Sequence, residues 1–223
     1  MAATRLDSDE RRTAILLAAV PLFARKGFAG TTTKEISEAA AISEALLFRH
    51  FPSKKQLYDE ILRLGCEGDP ALERLAVLEP STRTLVRMIH GMTRHFLLAA
   101  CVDPSDLDTR LRLILHSCLE DGEYARELFE RIFEKVHPLF AASLQSAIAA
   151  GDLRPGPFTS PNLFWFAQHL VMMIAFARLP GRACVPYAGS LEALAGEASR
   201  FILRGLGMSD AAIAAALAER AAV

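Results

Sequence analysis

Apolar positions along this chain recur at intervals of three and four, the spacing of one face of an α-helix, and nowhere alternate for long enough to make a half-buried strand. In residues 81–101 the stripe runs Leu85, Met88, Ile89, Met92, Phe96 and Ala99; in 123–150 it runs Phe129, Ile132, Phe133, Val136, Phe140 and Leu144. Glycine and proline punctuate the chain between such stretches, at Gly65, Pro70, Pro80, Pro104, Gly122, Gly151 to Pro157, Pro161, Pro180 to Pro186, and Gly205 to Gly207. Further helices are predicted near 104–119, 160–178, 189–205 and 209–221. The expected fold class is all-α.

Residues 163–177, LFWFAQHLVMMIAFA, are apolar on every side except at Gln168 and His169, and a helix of that kind must be covered all round. A membrane span is one reading, but fifteen residues with a Gln-His step inside fall short of the roughly twenty that a bilayer needs. Burial against its own domain on one face and a second subunit on the other explains the segment better. Its expected partner is 189–205, where Leu191, Leu194, Ala195, Ala198, Phe201, Ile202 and Gly205 form a broad stripe. Two such helices from each subunit make a four-helix homodimer interface, with Trp165, His169, Phe176, Leu191, Leu194, Ala198, Phe201 and Ile202 as its residues.

Residues 31–58 pack three helix starts and one tight turn into a span sized for reading a DNA groove. Thr32 with Glu35 forms one capping box and Ser53 with Gln56 a second. Between them Ser43 is a good N-cap, and Ile42 is placed to staple onto Leu47. A helix over 33–40, buried through Ile36, Ala39 and Ala40, thus meets another over 43–51, buried through Leu47 and Phe51. Helical phase turns Ala45, Leu46 and Arg49 the other way, with Phe48 and His50 at the edges. Arginine can pair with guanine or hold a phosphate, and small apolar groups can touch thymine methyls. Lys54 and Lys55 fall in the first turn of the next helix, where the macrodipole disfavours cations unless an anion is near; a DNA phosphate would be one. Capping boxes alone leave an ordinary helical hairpin equally open.

The order of residues goes further. From Arg11 to Leu57 the chain resembles the DNA-binding domain of the TetR family of bacterial transcriptional regulators: Ile15, Leu16, Ala19, Leu22, Phe23 and Gly27, then Phe28, Thr31, Thr32, Ile36, Ala39-Ala40, Ile42-Ser43, Leu47, Arg49-His50-Phe51, Ser53-Lys54 and Leu57. Beyond about the first sixty residues the resemblance is architectural, carried by segments such as AIAAGDLRPGP ahead of the expected dimer helices. It implies a three-helix helix-turn-helix domain at 1–53 and a helical effector-binding and dimerisation domain at 54–223. It also implies a palindromic double-stranded operator, a small-molecule effector and a homodimer. DNA contacts are expected at Thr32, Thr33, Lys34, Ser43, Glu44, Ala45, Leu46, Phe48, Arg49, His50, Lys54 and Lys55. Repression released by ligand is the usual mode; an activator of the same fold, or a helical binding or scaffold protein whose DNA heads have lapsed, are the alternatives. Two departures keep the last one open. Ala41 stands where the family usually has glycine in the turn, and Phe48 stands where it usually has a tyrosine whose hydroxyl bonds a phosphate.

Charge and composition change this picture little. The chain has 223 residues, 52% of them hydrophobic, and a net charge of −1. Residues 1–65 hold 10 Lys/Arg against 8 Asp/Glu and the remainder 15 against 18, so the basic excess lies with the reader. Cys66, Cys101, Cys118 and Cys184 form no Cys-x-x-Cys pair, which suits a reduced, cytoplasmic protein. Arg11-Arg12 ahead of AILLAAVPLFA imitates an export signal, but Asp7, Asp9 and Glu10 crowd the leader and no small-x-small site follows before Arg25-Lys26. Catalytic and cofactor motifs are missing: Glu134-x-x-His137 is a single copy where a dimetal site needs two, and there is no phosphate loop or nucleophile elbow. The remaining histidines read instead as polar anchors in an apolar effector cavity formed by Met88, Met92, His95, Phe96, Phe133, His137, Phe140, His169, Met172, Met173 and Phe176, or simply as core.

Overall fold

The computed structural model describes residues 7–66, 75, 77–98 and 104–218. The expectations for Ala99, Cys101 and 219–221 lie outside these residues. Ten helices occur among the described residues: α1 Ser8–Gly30, α2 Thr33–Ala39, α3 Glu44–His50, α4 Lys54–Cys66, α5 Thr82–Leu98, α6 Pro104–Leu119, α7 Glu123–Ala149, α8 Ser160–Phe176, α9 Leu191–Gly205 and α10 Asp210–Ala218. The nearest thing to a strand is one isolated bridge between Leu153 and Met208. The fold is all-α, as the periodicity requires. Two compact units form, one from residues 1–68 with 108–130 and the other from 69–107 with 131–223.

In the first unit, α1 opens on a reciprocal capping box: the Asp7 carboxylate accepts from the N–H groups of Asp9 and Glu10, and the Glu10 carboxylate accepts from that of Asp7. These acids thus start a helix. By length and composition α1 could cross a membrane, yet Ile15, Leu16, Ala19, Leu22 and Phe23 are buried. They form one core with Ile36, Leu47, Phe51, Leu57, Tyr58 and Ile61. Rings of Phe23, Phe28 and Tyr58 meet at 4.9 to 6.2 Å. Burial pushes the Tyr58 phenol up, and the charges of Glu120, Asp121 and Asp59 add to the effect. α1 breaks at Gly27, whose φ of 70° favours glycine, and a Cβ there would come within 2.3 Å of the Glu120 carboxylate.

In the second unit α5 is the central helix, packed against α8, α9 and α10. That arrangement alters the expected stripe: Leu85, Met88 and Ile89 are buried as read, but Thr93 and Leu97 are fully buried while Met92 and Phe96 are only partly so. With neighbours on more than one side, α5 needs an inner face wider than one stripe. Thr93 meets the polar cost locally by donating to the His90 carbonyl at 2.9 Å. The loop after α7 is pinned by Arg154 N–H to Gly207 O and Ser209 N–H to Asp152 O, each 2.9 Å, and the Asp152 carboxylate accepts from Thr82 at 2.6 Å. Gly207, at φ 98°, permits this approach; a Cβ would stand 2.2 Å from the Arg154 carbonyl oxygen.

Candidate functional site

The α2–turn–α3 segment is built largely by its own side chains. Thr32 and Glu35 close the capping box, with Thr32 Oγ1 accepting from the Glu35 N–H and Glu35 Oε2 from the Thr32 N–H. Lys26 also holds Glu35, and together with Thr32 it pulls that carboxyl down to about 2. The turn is a complete Schellman motif: Ala41 N–H donates to Glu38 O at 3.1 Å and Ile42 N–H to Ser37 O at 3.0 Å. Ala41 takes the left-handed position at φ 53°, the one non-glycine among the described residues with positive φ. Its Cβ costs on the order of 1 kcal/mol there.

The buried side of α2 differs from the sequence reading. Ile36 is buried, but Ala39 is exposed and Ala40 half-buried. Ser37 takes the inner place beside Ile36, and its hydroxyl is satisfied by donating to the Thr33 carbonyl at 2.8 Å.

On α3, Ser43 Oγ accepts from the Leu46 N–H at 3.2 Å, and Leu47 and Phe51 anchor the helix in the core. Ala45 and Arg49 face outward as phased, but Leu46 and Phe48 exchange places, with Phe48 the more exposed of the two. Ala45 and Arg49 are exposed, Phe48 is 44% exposed, and Leu46 and His50 are half-buried. Thr33 and Glu44, both expected at the DNA, bond each other at 2.9 Å across the two helices. Thr32, Lys34 and Ser43 are exposed on the same segment.

Both α4 lysines have partners within the chain. Lys54 Nζ donates to the carbonyls of Phe28 at 2.7 Å and Thr31 at 2.8 Å and lies 4.3 Å from the centre of the Phe28 ring. The end of α1, which carries the negative pole of that helix, supplies the partner expected from DNA. Lys55 pairs with Glu123 at 2.5 Å and Asp59 at 3.3 Å. Lys54 in particular is a structural clamp before it is anything else.

Sequence reasoning missed Arg12 altogether. Its guanidinium donates from Nε to Glu60 Oε1 at 2.9 Å, from Nη2 to Glu60 Oε2, and from Nη1 to the His50 carbonyl at 2.5 Å, with the Phe51 ring centre 4.2 Å from Cζ. That bond to Arg12 holds the Glu60 carboxyl below its usual range. No local signal marks a partner 48 residues away.

The effector set is only partly gathered. Phe133, His137 and Phe140 on α7 meet Phe164 and Trp165 on α8: Phe133 stacks on His137 at 4.2 Å and on Trp165 at 5.6 Å, and Phe140 meets Phe164 edge-on at 5.5 Å. His169 joins through a stack on Trp165 at 5.7 Å. His137 Nε2 lies 2.9 Å from Ser160 Oγ, and partial desolvation by the neighbouring rings lowers the pKa of both His137 and His169, although His169 keeps an exposed edge. Met88 and Met172 are buried, while Met92, Phe96 and Phe176 are half-buried. Two expectations fail: His95 is exposed and Met173 is 65% exposed, so neither faces inward. Phe164 and Gln168 were missed. Gln168 is only 5% exposed and its Oε1 has no hydrogen-bond partner.

The dimer set also splits. Leu194, Ala198 and Ile202 are buried in their own chain, because α9 turns that stripe onto α5 and not toward a second subunit. α8 likewise packs on α5, the main intrachain partner of both helices. What remains outside is Phe166 at 60%, Met173 at 65% and Phe201 at 68%, with His169 exposed and Trp165, Phe176 and Leu191 half-buried.

A capped helix pair with a locked turn and an outward face of small apolar groups around Arg49 defines a helix-turn-helix DNA-binding domain. Residues 15–61 match the family described as bacterial regulatory proteins, tetR family. The chain is similar to the transcriptional repressor KstR2 of Rhodococcus jostii, 47% identical over 53 residues, which covers 24% of this chain and 26% of that protein. It is similar also to the transcriptional activator FasR of Mycolicibacterium smegmatis, 39% identical over 149 residues, covering 66% of this chain and 57% of the relative. The chain thus spans between about a quarter and somewhat over half the length of these two. Among solved structures, AibR in complex with isovaleryl coenzyme A and operator DNA superposes with a TM-score of 0.65 at 22% identity, covering 86% of this chain and 97% of that one. That likeness concerns the fold.

Proposed function

We propose that the chain is a cytoplasmic, homodimeric, one-component transcriptional regulator. Residues 1–53 read a palindromic operator, and 54–223 bind a mostly hydrophobic effector and dimerise. The observation that carries the proposal is the outward face of α3: Arg49 is exposed, pairs with no carboxylate among the described residues, and stands beside Ala45, Leu46 and Phe48, the side chains suited to guanine edges and thymine methyls. The lapsed-reader alternative loses support from the turn, since Ala41 is accommodated in a complete hydrogen-bonded motif. Phe48 can offer only apolar contact.

Outer apolar side chains on α8 and α9 support the dimer, and the aromatic group around Phe133, His137 and Phe164 supports an apolar effector with few polar anchors. An effector that fits only when the two heads are wrongly spaced depopulates the operator-binding form. We read the mode as repression released by ligand. The match to an activator, longer than the DNA-binding domain itself, favours activation as the second reading. Enrichment of duplexes from a random-sequence pool tests operator recognition: an inverted repeat supports the proposal, and a protein that enriches nothing sinks it. Transcript levels from adjoining genes after deletion of the chain separate repression, which raises them, from activation, which lowers them.

A further inference from the structure

We infer that Arg12 is the positioning residue of the recognition helix, and that operator discrimination depends on it although it lies on α1, outside the helix-turn-helix. The inference rests on the DNA-reading proposal above. α3 has seven residues, too few to hold itself in place by internal bonds, so fastenings at its two ends set where Arg49 stands. Ser43 fastens the start, as the sequence shows. The end has no side-chain cap of its own, and its last carbonyls are the unpaired groups of any helix C-terminus. Arg12 Nη1 takes the carbonyl of His50, the residue next to Arg49.

The same guanidinium is held from behind. Nε and Nη2 grip both oxygens of Glu60 on α4, and the Phe51 ring lies against its face. One planar fork therefore ties three helices, α1, α3 and α4, within a single compact unit. Arginine's planar fork presents fixed donors in two directions, so it can serve a bidentate carboxylate on one side and a carbonyl on the other; lysine's compact ammonium has no such fork. An ion pair that merely stapled α1 to α4 would need no bond to α3. Base readout tolerates placement errors of only about 0.5 Å, whereas phosphate contacts are far more forgiving. Loss of the Arg12 bond should therefore cost specific binding much more than general DNA binding.

The test uses the full chain and two duplexes: one enriched by the wild-type protein from a random pool, and a scrambled duplex of the same composition, both at one salt concentration. Arg12→Gln should weaken the enriched duplex by about 10- to 100-fold, the range for losing a hydrogen bond from a charged group, and the scrambled duplex by less than about threefold. Glu60→Gln, which keeps an acceptor for Arg12, should lose less than Arg12→Gln. The decisive variant is the charge swap Arg12→Glu with Glu60→Arg. It restores the ion pair and guards against a fold too weak to test, but Glu at position 12 cannot donate to the His50 carbonyl. Recovered melting temperature with discrimination still lost is the expected result. Recovered discrimination in the swap would show that Arg12 acts only as an ion-pair partner, and equal loss on both duplexes by Arg12→Gln would make it a DNA or folding residue instead; either overturns the inference. If the wild-type protein enriches no duplex, the DNA-reading proposal itself falls, which is a separate and visible failure.

Discussion

Among the large apolar side chains exposed in the described residues, those on α3 and those on α8 and α9 differ in what surrounds them. On α3, exposed Phe48 stands with Ala45 and half-buried Leu46 next to exposed Arg49. On α8 and α9, Phe166, Met173 and Phe201 are more exposed still, on a helix without a charged residue and a helix whose charges flank the patch. The first mixture suits a polyanion with methyl groups in its groove, where cations settle affinity and small apolar groups help with sequence. The second suits another protein surface, because apolar area with little charge gains from being covered in proportion to that area. Exposure alone does not name a partner; the company that the exposed groups keep does.

The comparison breaks most sharply at the second surface. Phe201→Glu places a charge on the most exposed of the apolar side chains we assign to the interface with a second subunit, and should convert the protein to monomer at micromolar concentration in sedimentation. Specific DNA binding should vanish with it, since one head sees half an operator. A dimer that survives the substitution would move the interface elsewhere.

Arg49→Ala strikes the first surface. If the arginine reads a base edge, its loss costs about 1 to 3 kcal/mol per half-site and relaxes preference at one operator position, as a binding-site selection with the variant would reveal. Lys54→Ala should behave otherwise. Its ammonium is committed to two carbonyls at the end of α1, so the expected cost is roughly 1.5 to 3 kcal/mol of stability by denaturant titration, with the salt slope of DNA binding nearly unchanged. A slope shallower by about one per subunit would instead return Lys54 to the phosphate backbone. Smallest of the four is Ala41→Gly. Removing a Cβ from a left-handed residue should raise stability by about 0.5 to 1 kcal/mol, less the greater freedom of glycine in the unfolded chain, and leave DNA affinity within a factor of about two. A lower melting temperature would mean that Ala41 is not strained.

Local chemistry was legible in the sequence. The capping box at Thr32, the cap at Ser43 and the outward positions of Ala45 and Arg49 appear where spacing puts them, because each depends on neighbours within a few residues. Helix positions in the second unit were legible for the same reason. Inner faces were not. Ser37 and not Ala39 lies on the inner face of α2, and Leu194, Ala198 and Ile202 turned inward because α5 packs on α9. Periodicity marks an apolar stripe but not which neighbour covers it. Long-range polar bonds were the least legible: Arg12 with Glu60, and Lys54 with the end of α1, join residues that no motif connects. Those bonds turned one expected DNA contact into a clamp and brought an unsuspected arginine to the recognition helix.

The central claim is that the α3 face reads DNA while the α8–α9 face pairs two chains so that both heads read together. Sedimentation of the full chain on a duplex enriched by the protein itself tests both halves at once. The account predicts two chains per duplex and an enriched sequence that is an inverted repeat, with half-sites centred about one helical turn, 34 to 36 Å, apart or a multiple of it. A single chain bound to a site without internal symmetry would contradict it.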